Sequence, residues 1–128
     1  MEINNLKVLV AEDSQMNVLL MRKILAKWNI TPHFVADGSA AVSAFKTTDY
    51  DVILMDIHMP LMDGYEASRI IRTDPDPIKS QIPIIALTAS IAIDIREEIE
   101  QAGINDFICK PFDIDELRGK LEEIAARV

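Results

Sequence analysis

Residues 51–56 read DVILMD, an apolar run between two aspartates. A run without alternating polar residues is typical of a strand that is buried on both faces, and Leu9 and residues 84–85 lie in runs of the same kind. A sheet whose strands are buried on both faces needs a layer of helices on each side, which is the layout of parallel α/β proteins. This stretch therefore predicts a parallel sheet between two helical layers.

Strand and helix patterns alternate five times along the chain. We expect strands at residues 6–11, 31–36, 51–55, 84–87 and 107–109, and a first helix from Ser14 to Trp28. Right-handed crossovers, with a reversal after the first two strands, would give the strand order 2-1-3-4-5. The predicted fold class is α/β, a doubly wound five-stranded parallel sheet with helices on both faces. In this order a crevice forms at the carboxyl ends of the first and third strands.

Cap and turn signals support these boundaries. Asp-Gly pairs at residues 37–38 and 63–64 precede two helices, and Gly103 follows the fourth helix, where glycine can adopt a left-handed cap. Asp113 and Glu116 form a pattern like a capping box, and we expect the apolar face of the fifth helix to pack on the sheet. This face consists of Leu117, Leu121 and Ile124.

Length and composition fit a single domain over residues 1–128. The sequence is 49% hydrophobic and 27% charged, which is a globular composition. There is no internal repeat or linker, and residues 73–81, with DPDP at 74–77, are predicted to be a surface loop. The net charge of -8 and the pI of about 4.6 argue against direct binding to nucleic acid or to an anionic membrane.

The chain has features of a cytoplasmic protein. Cys109 is the only cysteine, so no intrachain disulfide is possible, and we expect it to pack in the apolar stretch around it. Residues 1–7 lack the apolar stretch of a secretory signal. The uncharged stretch at residues 82–93 is too short to span a bilayer as a helix.

Three acidic residues follow the strands that border the predicted crevice. Glu12 and Asp13 come after the first strand, and Asp56 comes after the third. Each of them alone is more often a solvated loop residue, a turn residue or a helix cap. Three carboxylates that meet at one edge repel one another unless a cation lies between them, and an all-oxygen set favours Mg²⁺ or Mn²⁺ over zinc. Their convergence therefore predicts a divalent metal site.

Two further residues are expected at the same edge of the sheet. Thr88 ends the fourth strand and Lys110 follows the fifth. Each alone is an ordinary strand-end residue, but together with the acids they combine a hydroxyl and an ammonium group with a metal site.

Four motifs in this order resemble the receiver domain of bacterial response regulators, over essentially the whole chain. They are VAED at residues 10–13, MDIHMPLMDG at 55–64, ALTA at 86–89 and KPF at 110–112. EDSQMN at 12–17 and MDIHMP at 55–60 look most like receivers of hybrid sensor histidine kinases. The resemblance implies a flavodoxin-like (βα)5 fold and a role in a two-component phosphorelay.

The resemblance implies a role for each site residue. Asp56 would be the phosphoacceptor, and Asp13 and Asp56 would bind Mg²⁺ through their side chains. Glu12 would assist through water, and the backbone carbonyl of His58 would complete the protein ligands. The His58 side chain either tunes the lifetime of the phosphorylated state or is simply exposed.

Thr88 and Lys110 would contact the phosphoryl group, and the peptide bond between Lys110 and Pro111 would be cis, as in the family. Ala89 would leave an entry path for phosphate. Phe107 stands at the position of the family's switch aromatic, whose ring moves inward when Thr88 turns toward the phosphate. Its alternative role is plain core packing.

The implied partner is a histidine kinase or a histidine phosphotransfer domain, and the implied oligomeric state is a monomer or weak dimer. Such a domain is a phosphoacceptor and not an enzyme. The alternative is an aspartate-nucleophile phosphohydrolase, but those enzymes have a second acid two residues after the nucleophile, where this chain has His58. A nucleotide-binding domain is disfavoured because EDSQ at residues 12–15 stands where a glycine-rich loop would follow the first strand.

Overall fold

The computed structural model describes residues 3–90 and 92–127. Met1, Glu2, Ile91 and Val128 belong to the predicted domain but lie outside the described residues. Strands and helices alternate in the order β1 (Val8–Ala11), α1 (Gln15–Ala26), β2 (His33–Val35), α2 (Gly38–Thr47), β3 (Val52–Asp56), α3 (Gly64–Arg72), a single 3-10 turn (Lys79–Gln81), β4 (Ile84–Thr88), α4 (Ile93–Gln101), β5 (Asp106–Cys109) and α5 (Ile114–Ala125).

The five strands form one parallel sheet in the order β2-β1-β3-β4-β5, which confirms the predicted order. The register pairs Ala11 with Met55, so β1 ends one residue short of the level of Asp56. Thr88 pairs with Cys109 at the far side of β4. The carboxyl ends of the four strands β1, β3, β4 and β5 therefore lie along one edge.

The sheet is buried on both faces, as predicted from the apolar runs. One cluster packs α2, α3 and α4 against the sheet around Leu9, Ile53 and Phe45. The other packs α1 and α5 against the opposite face around Val10 and Leu54. Successive residues of β1 and β3 enter opposite clusters, as the alternation of side chains along a strand requires. Each fully buried aliphatic side chain contributes about 1.5–3 kcal/mol to folding.

The predicted helix starts are confirmed by side-chain caps. Four cap residues accept a hydrogen bond from the amide three positions later, which satisfies one of the free amides of the first turn. These are Ser14, Asp37, Asp63 and Asp113. Gly103 follows α4 with a φ of 81°, the left-handed conformation expected there.

The structure corrects several boundaries. β1 begins at Val8 instead of residue 6, and α1 ends at Ala26 instead of Trp28. The loop predicted at residues 73–81 is wrong at its end, because Lys79–Gln81 form a 3-10 turn, and the amides of Ile78 and Lys79 are bonded to the Asp76 carboxylate. β2 is shorter than predicted and comprises only His33–Val35. It is an edge strand that pairs with β1 alone, so fewer of its residues are held in the ladder. No helix among residues 3–90 and 92–127 has the length and apolar character needed to cross a membrane.

Candidate functional site

The three predicted acidic residues meet at the carboxyl edge of the sheet. One carboxylate oxygen from each of Glu12, Asp13 and Asp56 lies within 4.8 Å of the other two. Glu12 and Asp56 are buried, with 2% and 4% of their surface exposed, whereas Asp13 is exposed. The site therefore combines two buried carboxylates with one that faces the solvent.

Lys110 reaches the two buried carboxylates. Its Nζ lies 3.2 Å from Asp56 Oδ2, to which it donates a hydrogen bond, and 3.1 Å from Glu12 Oε1. The peptide bond between Lys110 and Pro111 is cis, as the resemblance implied. The Lys110 ammonium thus forms an ion pair with both buried acids.

The backbone around Asp56 fixes the direction of its side chain. The amide of His58 donates to Asp56 Oδ1 at 3.2 Å, and the amide of Gly64 donates to the carbonyl of Ile57 at 2.9 Å. A Cβ on Gly64 would lie 2.3 Å from the Asp56 carbonyl oxygen, so only glycine permits this close approach of α3. The start of α3 therefore packs directly on the backbone of Asp56.

The charges of the site shift the pKa values of two of its groups. Burial raises the pKa of Glu12, and the neighbouring Asp56 carboxylate raises it further, while the amide of Ser14 acts in the opposite direction. Burial alone would lower the pKa of Lys110, but the negative charges of Asp56 and Glu12 outweigh it, so this pKa lies above its ordinary value. The cluster is therefore short of positive charge, even with Lys110 in place.

The donor set fits a hard divalent cation. Glu12 Oε1 is buried and accepts no well-aligned hydrogen bond from the described residues, since Lys110 contributes charge but not a good hydrogen-bond geometry. Burying carboxylates is costly unless their charge is neutralised, and the single ammonium of Lys110 is shared between two buried carboxylates. The three clustered residues offer only oxygen ligands, which Mg²⁺ and Mn²⁺ prefer.

Thr88 is at the predicted edge, but its hydroxyl is directed elsewhere. It is buried, donates to the carbonyl of Ser90 at 2.9 Å and accepts from the Ser90 amide at 3.2 Å. The structure therefore brings Thr88 to the rim without a hydrogen bond to the acids. Sequence reasoning did not anticipate this local turn, although Ser and Thr are known to form such side-chain bonds to nearby backbone.

Phe107 and His58 lie where the sequence predicted, with different degrees of exposure. Phe107 is half-buried and packs against the cluster that contains α3 and α4, and it pairs with Ala86 of β4. The His58 side chain is exposed, so its contact with Asp56 is made by the backbone amide. These positions are compatible with both the switch role and the packing role of Phe107.

A comparison with known protein families identifies the family of this chain. Residues 8–122 match the response regulator receiver domain family. The chain belongs to that family. As a receiver domain, it is a module of two-component signalling.

Solved receiver domains share this structure. The receiver domain of sensor histidine kinase PA1611 from Pseudomonas aeruginosa PAO1, which has a magnesium ion coordinated in the active site cleft, superposes with a TM-score of 0.86 at 38% identity. The match covers 94% of this receiver domain and 98% of that chain. The structure of the Saccharomyces cerevisiae histidine phosphotransfer protein Ypd1 with the receiver domain of its downstream response regulator Ssk1 gives a TM-score of 0.82 at 28% identity, covering 92% of this chain and 87% of that one.

The receiver domain also resembles part of a larger kinase. It is 39% identical over 115 residues to hybrid signal transduction histidine kinase G of Dictyostelium discoideum. The alignment covers 88% of this chain but only 3% of that protein. The predicted likeness to receivers of hybrid histidine kinases is thereby confirmed, and a phosphohydrolase is not favoured.

Proposed function

We propose that Asp56 accepts a phosphoryl group from a phosphohistidine and that phosphorylation changes the binding of partners. The supporting observation is the Lys110 ammonium, which lies 3.2 Å from Asp56 Oδ2 and 3.1 Å from Glu12 Oε1. An ammonium fixed beside a buried carboxylate is suited to neutralise charge on an incoming phosphoryl group.

The chemistry requires positioning more than proton transfer. A bond forms between an Asp56 carboxylate oxygen and phosphorus, and the bond between phosphorus and the donor imidazole nitrogen breaks. Lys110 stabilises the charge on the phosphoryl oxygens, and the amide of His58 holds the carboxylate through its hydrogen bond to Oδ1. The carboxylate needs no general base, because it is the ionised form that attacks.

In this proposal, Mg²⁺, or Mn²⁺ in its place, is held by Asp13 and Asp56, with Glu12 assisting and the His58 carbonyl as a backbone ligand. Two observations support this assignment: Glu12 Oε1 accepts no hydrogen bond from the described residues, and the donor set consists of oxygen atoms alone. When bound, the metal supplies positive charge that lets three neighbouring carboxylates remain ionised.

Thr88 and Phe107 are proposed to form the switch. The Thr88 hydroxyl is bonded to Ser90 in this structure, so it must give up that bond before it can donate to a phosphoryl group. Phe107 pairs with Ala86, whose side chain is only a methyl group, so a shift of the ring along the sheet meets a small neighbour there. Phosphorylation would then move Thr88 toward Asp56 and Phe107 inward.

The proposed donor is a histidine kinase or a histidine phosphotransfer domain. The yeast complex supports this, since a similar receiver was solved with a phosphotransfer protein. α1 has exposed apolar side chains that suit a helical partner, namely Met16, Leu19 and Leu20. The excess of acidic residues disfavours direct nucleic-acid binding. We place the domain in the cytoplasm, because the ATP that drives histidine kinases is there, and we expect it to be a monomer or weak dimer.

We also propose that each domain accepts one phosphoryl group and holds it, and that the domain is not a phosphomonoesterase. The second acid of aspartate-nucleophile phosphohydrolases would stand at His58, whose side chain is exposed and carries no carboxylate. Slow self-dephosphorylation is then the only hydrolysis expected.

The test is incubation of the protein with Mg²⁺ and acetyl phosphate, followed by intact-mass and peptide analysis. We expect one phosphoryl group, on Asp56, that is lost in Asp56→Asn and retained in the exposed-residue control Asp115→Asn. No uptake, or uptake that persists in Asp56→Asn, would overturn the proposal. Sustained hydrolysis of p-nitrophenyl phosphate by the same protein would overturn the single-turnover part.

A further inference from the structure

The aromatic ring of Phe107 has a cationic neighbour on α4. The guanidinium carbon of Arg96 lies 5.4 Å from the centroid of the Phe107 ring. A guanidinium at this distance from a ring face is attracted by the ring's negative face. The contact joins the half-buried ring of β5 to an exposed residue of the neighbouring helix.

The contact between Arg96 and Phe107 depends on the position of the Phe107 ring. Phe107 packs on the sheet face that faces α3 and α4 and pairs with Ala86, whose side chain points to the same face as that of Thr88, two residues further along β4. If the ring moves toward the space beside Ala86 and Thr88, it moves away from the solvent-facing guanidinium. Arg96 therefore interacts more strongly with the outer ring position, the one in this structure, than with an inner one.

We propose that Arg96 is a positioning residue of the switch, because its guanidinium holds the Phe107 ring in the outer position and lowers the resting population of the inner-ring conformer. The proposal rests on the proposed phosphoacceptor function of Asp56. A group that binds only one of two conformers shifts their equilibrium by its differential interaction energy. For an exposed cation–π contact the expected shift is about two- to fivefold in population.

The proposal predicts the direction in which Arg96→Met changes the rate of phosphoryl uptake. The methionine keeps most of the apolar stem but lacks the cation, so more molecules have the ring inside before phosphorylation. If the inner-ring conformer is the one that accepts phosphoryl groups, uptake from acetyl phosphate becomes about two- to fivefold faster. Loss of a positive charge alone would weaken the attraction of an anionic donor and slow uptake, so an electrostatic effect has the opposite sign.

The structure offers a matched control. The guanidinium of Arg118 lies over the ring of Trp28, also at 5.4 Å. This pair is on the opposite side of the sheet, where Trp28 packs against the α1 and α5 cluster. Arg118→Met removes the same kind of contact without touching Phe107, and Arg96→Lys keeps a cation near the ring.

The experiment combines a rate with a spectroscopic signature. The protein is labelled with fluorophenylalanine, and the resonance of Phe107 is assigned among the four phenylalanines by Phe107→Leu. We expect Arg96→Met to move this resonance toward its position in the protein saturated with Mg²⁺ and beryllium fluoride, and to speed uptake of phosphoryl groups from acetyl phosphate. Arg96→Lys should fall between, and Arg118→Met should leave the resonance unchanged and should not speed uptake.

A double-mutant cycle separates the ring contact from any other interaction of Arg96. In the Phe107→Leu background, Arg96→Met should no longer speed uptake. An acceleration that persists there, an acceleration without a resonance shift, or no change at all while Asp56 is still phosphorylated would each overturn the role of Arg96. Failure of the unsubstituted protein to take up phosphoryl groups would instead overturn the proposed function itself.

Discussion

Lys110 Nζ donates a hydrogen bond to Asp56 Oδ2 across 3.2 Å, although 54 positions separate the two residues in the sequence. The same nitrogen lies 3.1 Å from Glu12 Oε1. The ammonium thus neutralises part of the negative charge of the carboxylates that would bind a metal ion. Lys110 is therefore expected to assist phosphoryl transfer and to compete electrostatically with the metal.

Lys110→Met should separate these two effects. Loss of the ammonium removes stabilisation from the phosphoryl oxygens, so uptake from acetyl phosphate should slow by about 100-fold or more. Mg²⁺ should bind more tightly, because three carboxylates remain without their internal cation. Mass spectrometry gives the uptake rate and calorimetry gives the affinity. Lys120→Met, which removes the ion pair between α5 and Asp106 of β5, is the control. Weaker Mg²⁺ binding by Lys110→Met would contradict the competition.

Tyr65→Phe should stabilise the domain slightly or leave its stability unchanged. The Tyr65 hydroxyl is buried and has no hydrogen-bond partner among the described residues, so the folded state bears its desolvation cost. Tyr50→Phe should instead lower the free energy of unfolding by about 0.5–1.5 kcal/mol, since the Tyr50 hydroxyl is bonded to His33 Nδ1. Urea unfolding measures both. A loss of more than about 1 kcal/mol in Tyr65→Phe would mean that its hydroxyl has a partner.

The same tyrosine predicts a pH dependence at the alkaline end. Burial raises the pKa of Tyr65 above its ordinary value of 10.0, and the nearby acids Glu98, Asp63 and Asp94 raise it further. The unfolded chain then releases this proton at a lower pH than the folded one, so the stability associated with Tyr65 is present below pH 10.0 and is lost as the pH rises through the folded pKa. Absorbance titration should show a late tyrosinate step that disappears in Tyr65→Phe. An unchanged titration curve in that variant would refute the shift.

Two glycines in helices should respond in opposite ways to alanine. A Cβ at Gly64 would lie 2.3 Å from the Asp56 carbonyl oxygen, so Gly64→Ala must displace either α3 or the phosphoacceptor strand. We expect lower stability and at least tenfold slower phosphoryl uptake, because a shift of the reacting carboxylate by a fraction of an ångström slows a reaction by roughly this factor.

Gly119 is the matched control. A Cβ at Gly119 would meet nothing within 4 Å, and Gly119→Ala in α5 should raise stability by about 0.5–1 kcal/mol. Thermal unfolding and acetyl phosphate assays measure these effects, and a neutral Gly64→Ala would contradict the close packing.

The sheet and the acidic cluster were predictable because both depend on local patterns. Apolar runs and their order along the chain predict the parallel sheet, and the rule that functional residues lie at the carboxyl ends of such strands predicts that Asp13, Asp56 and Lys110 meet. The length of β2 was not predictable, because it depends on pairing with only one neighbour. The Lys79–Gln81 turn was also missed, since prolines at residues 75 and 77 indicate a break in regular structure but not the conformation of the residues after it.

The details of the site that escaped prediction are those set by contacts between distant backbone segments. The Thr88 sequence motif does not reveal that its hydroxyl is bonded to Ser90 in this conformer. The Gly64 motif does not reveal how closely α3 approaches Asp56, although an Asp-Gly pair whose glycine lies eight residues after a strand-end acid is a signal that could be sought elsewhere. Neither does the sequence reveal that Arg96 lies over Phe107, because the two belong to different elements.

Arg72 is the clearest example of a contact that sequence patterns do not encode, and it yields a final prediction. Its guanidinium donates to four oxygens at 2.7–2.8 Å and joins the end of α3 to the segments before β4 and β5. These acceptors are the carbonyls of Ser80, Ile82 and Gly103 and the side-chain oxygen of Asn105. Burial without a carboxylate partner lowers the pKa of Arg72, so the carbonyl dipoles are what hold its charge.

Arg72→Met should therefore lower the free energy of unfolding by about 2–4 kcal/mol, because it leaves several partly buried acceptors without a donor. Arg72→Lys should recover only part of this loss, since an ammonium cannot reach the acceptors with the planar fork of a guanidinium. Arg69→Met removes an exposed arginine from the same helix and should change stability by less than about 0.5 kcal/mol. Under conditions where all variants are folded, phosphoryl uptake at Asp56 should be unchanged, because Arg72 lies at the end of α3 that is opposite to Gly64 and the phosphoacceptor. If Arg72→Met unfolds no more easily than Arg69→Met, the four hydrogen bonds do not stabilise the fold, and the connection between α3 and the later strands must depend on apolar packing alone.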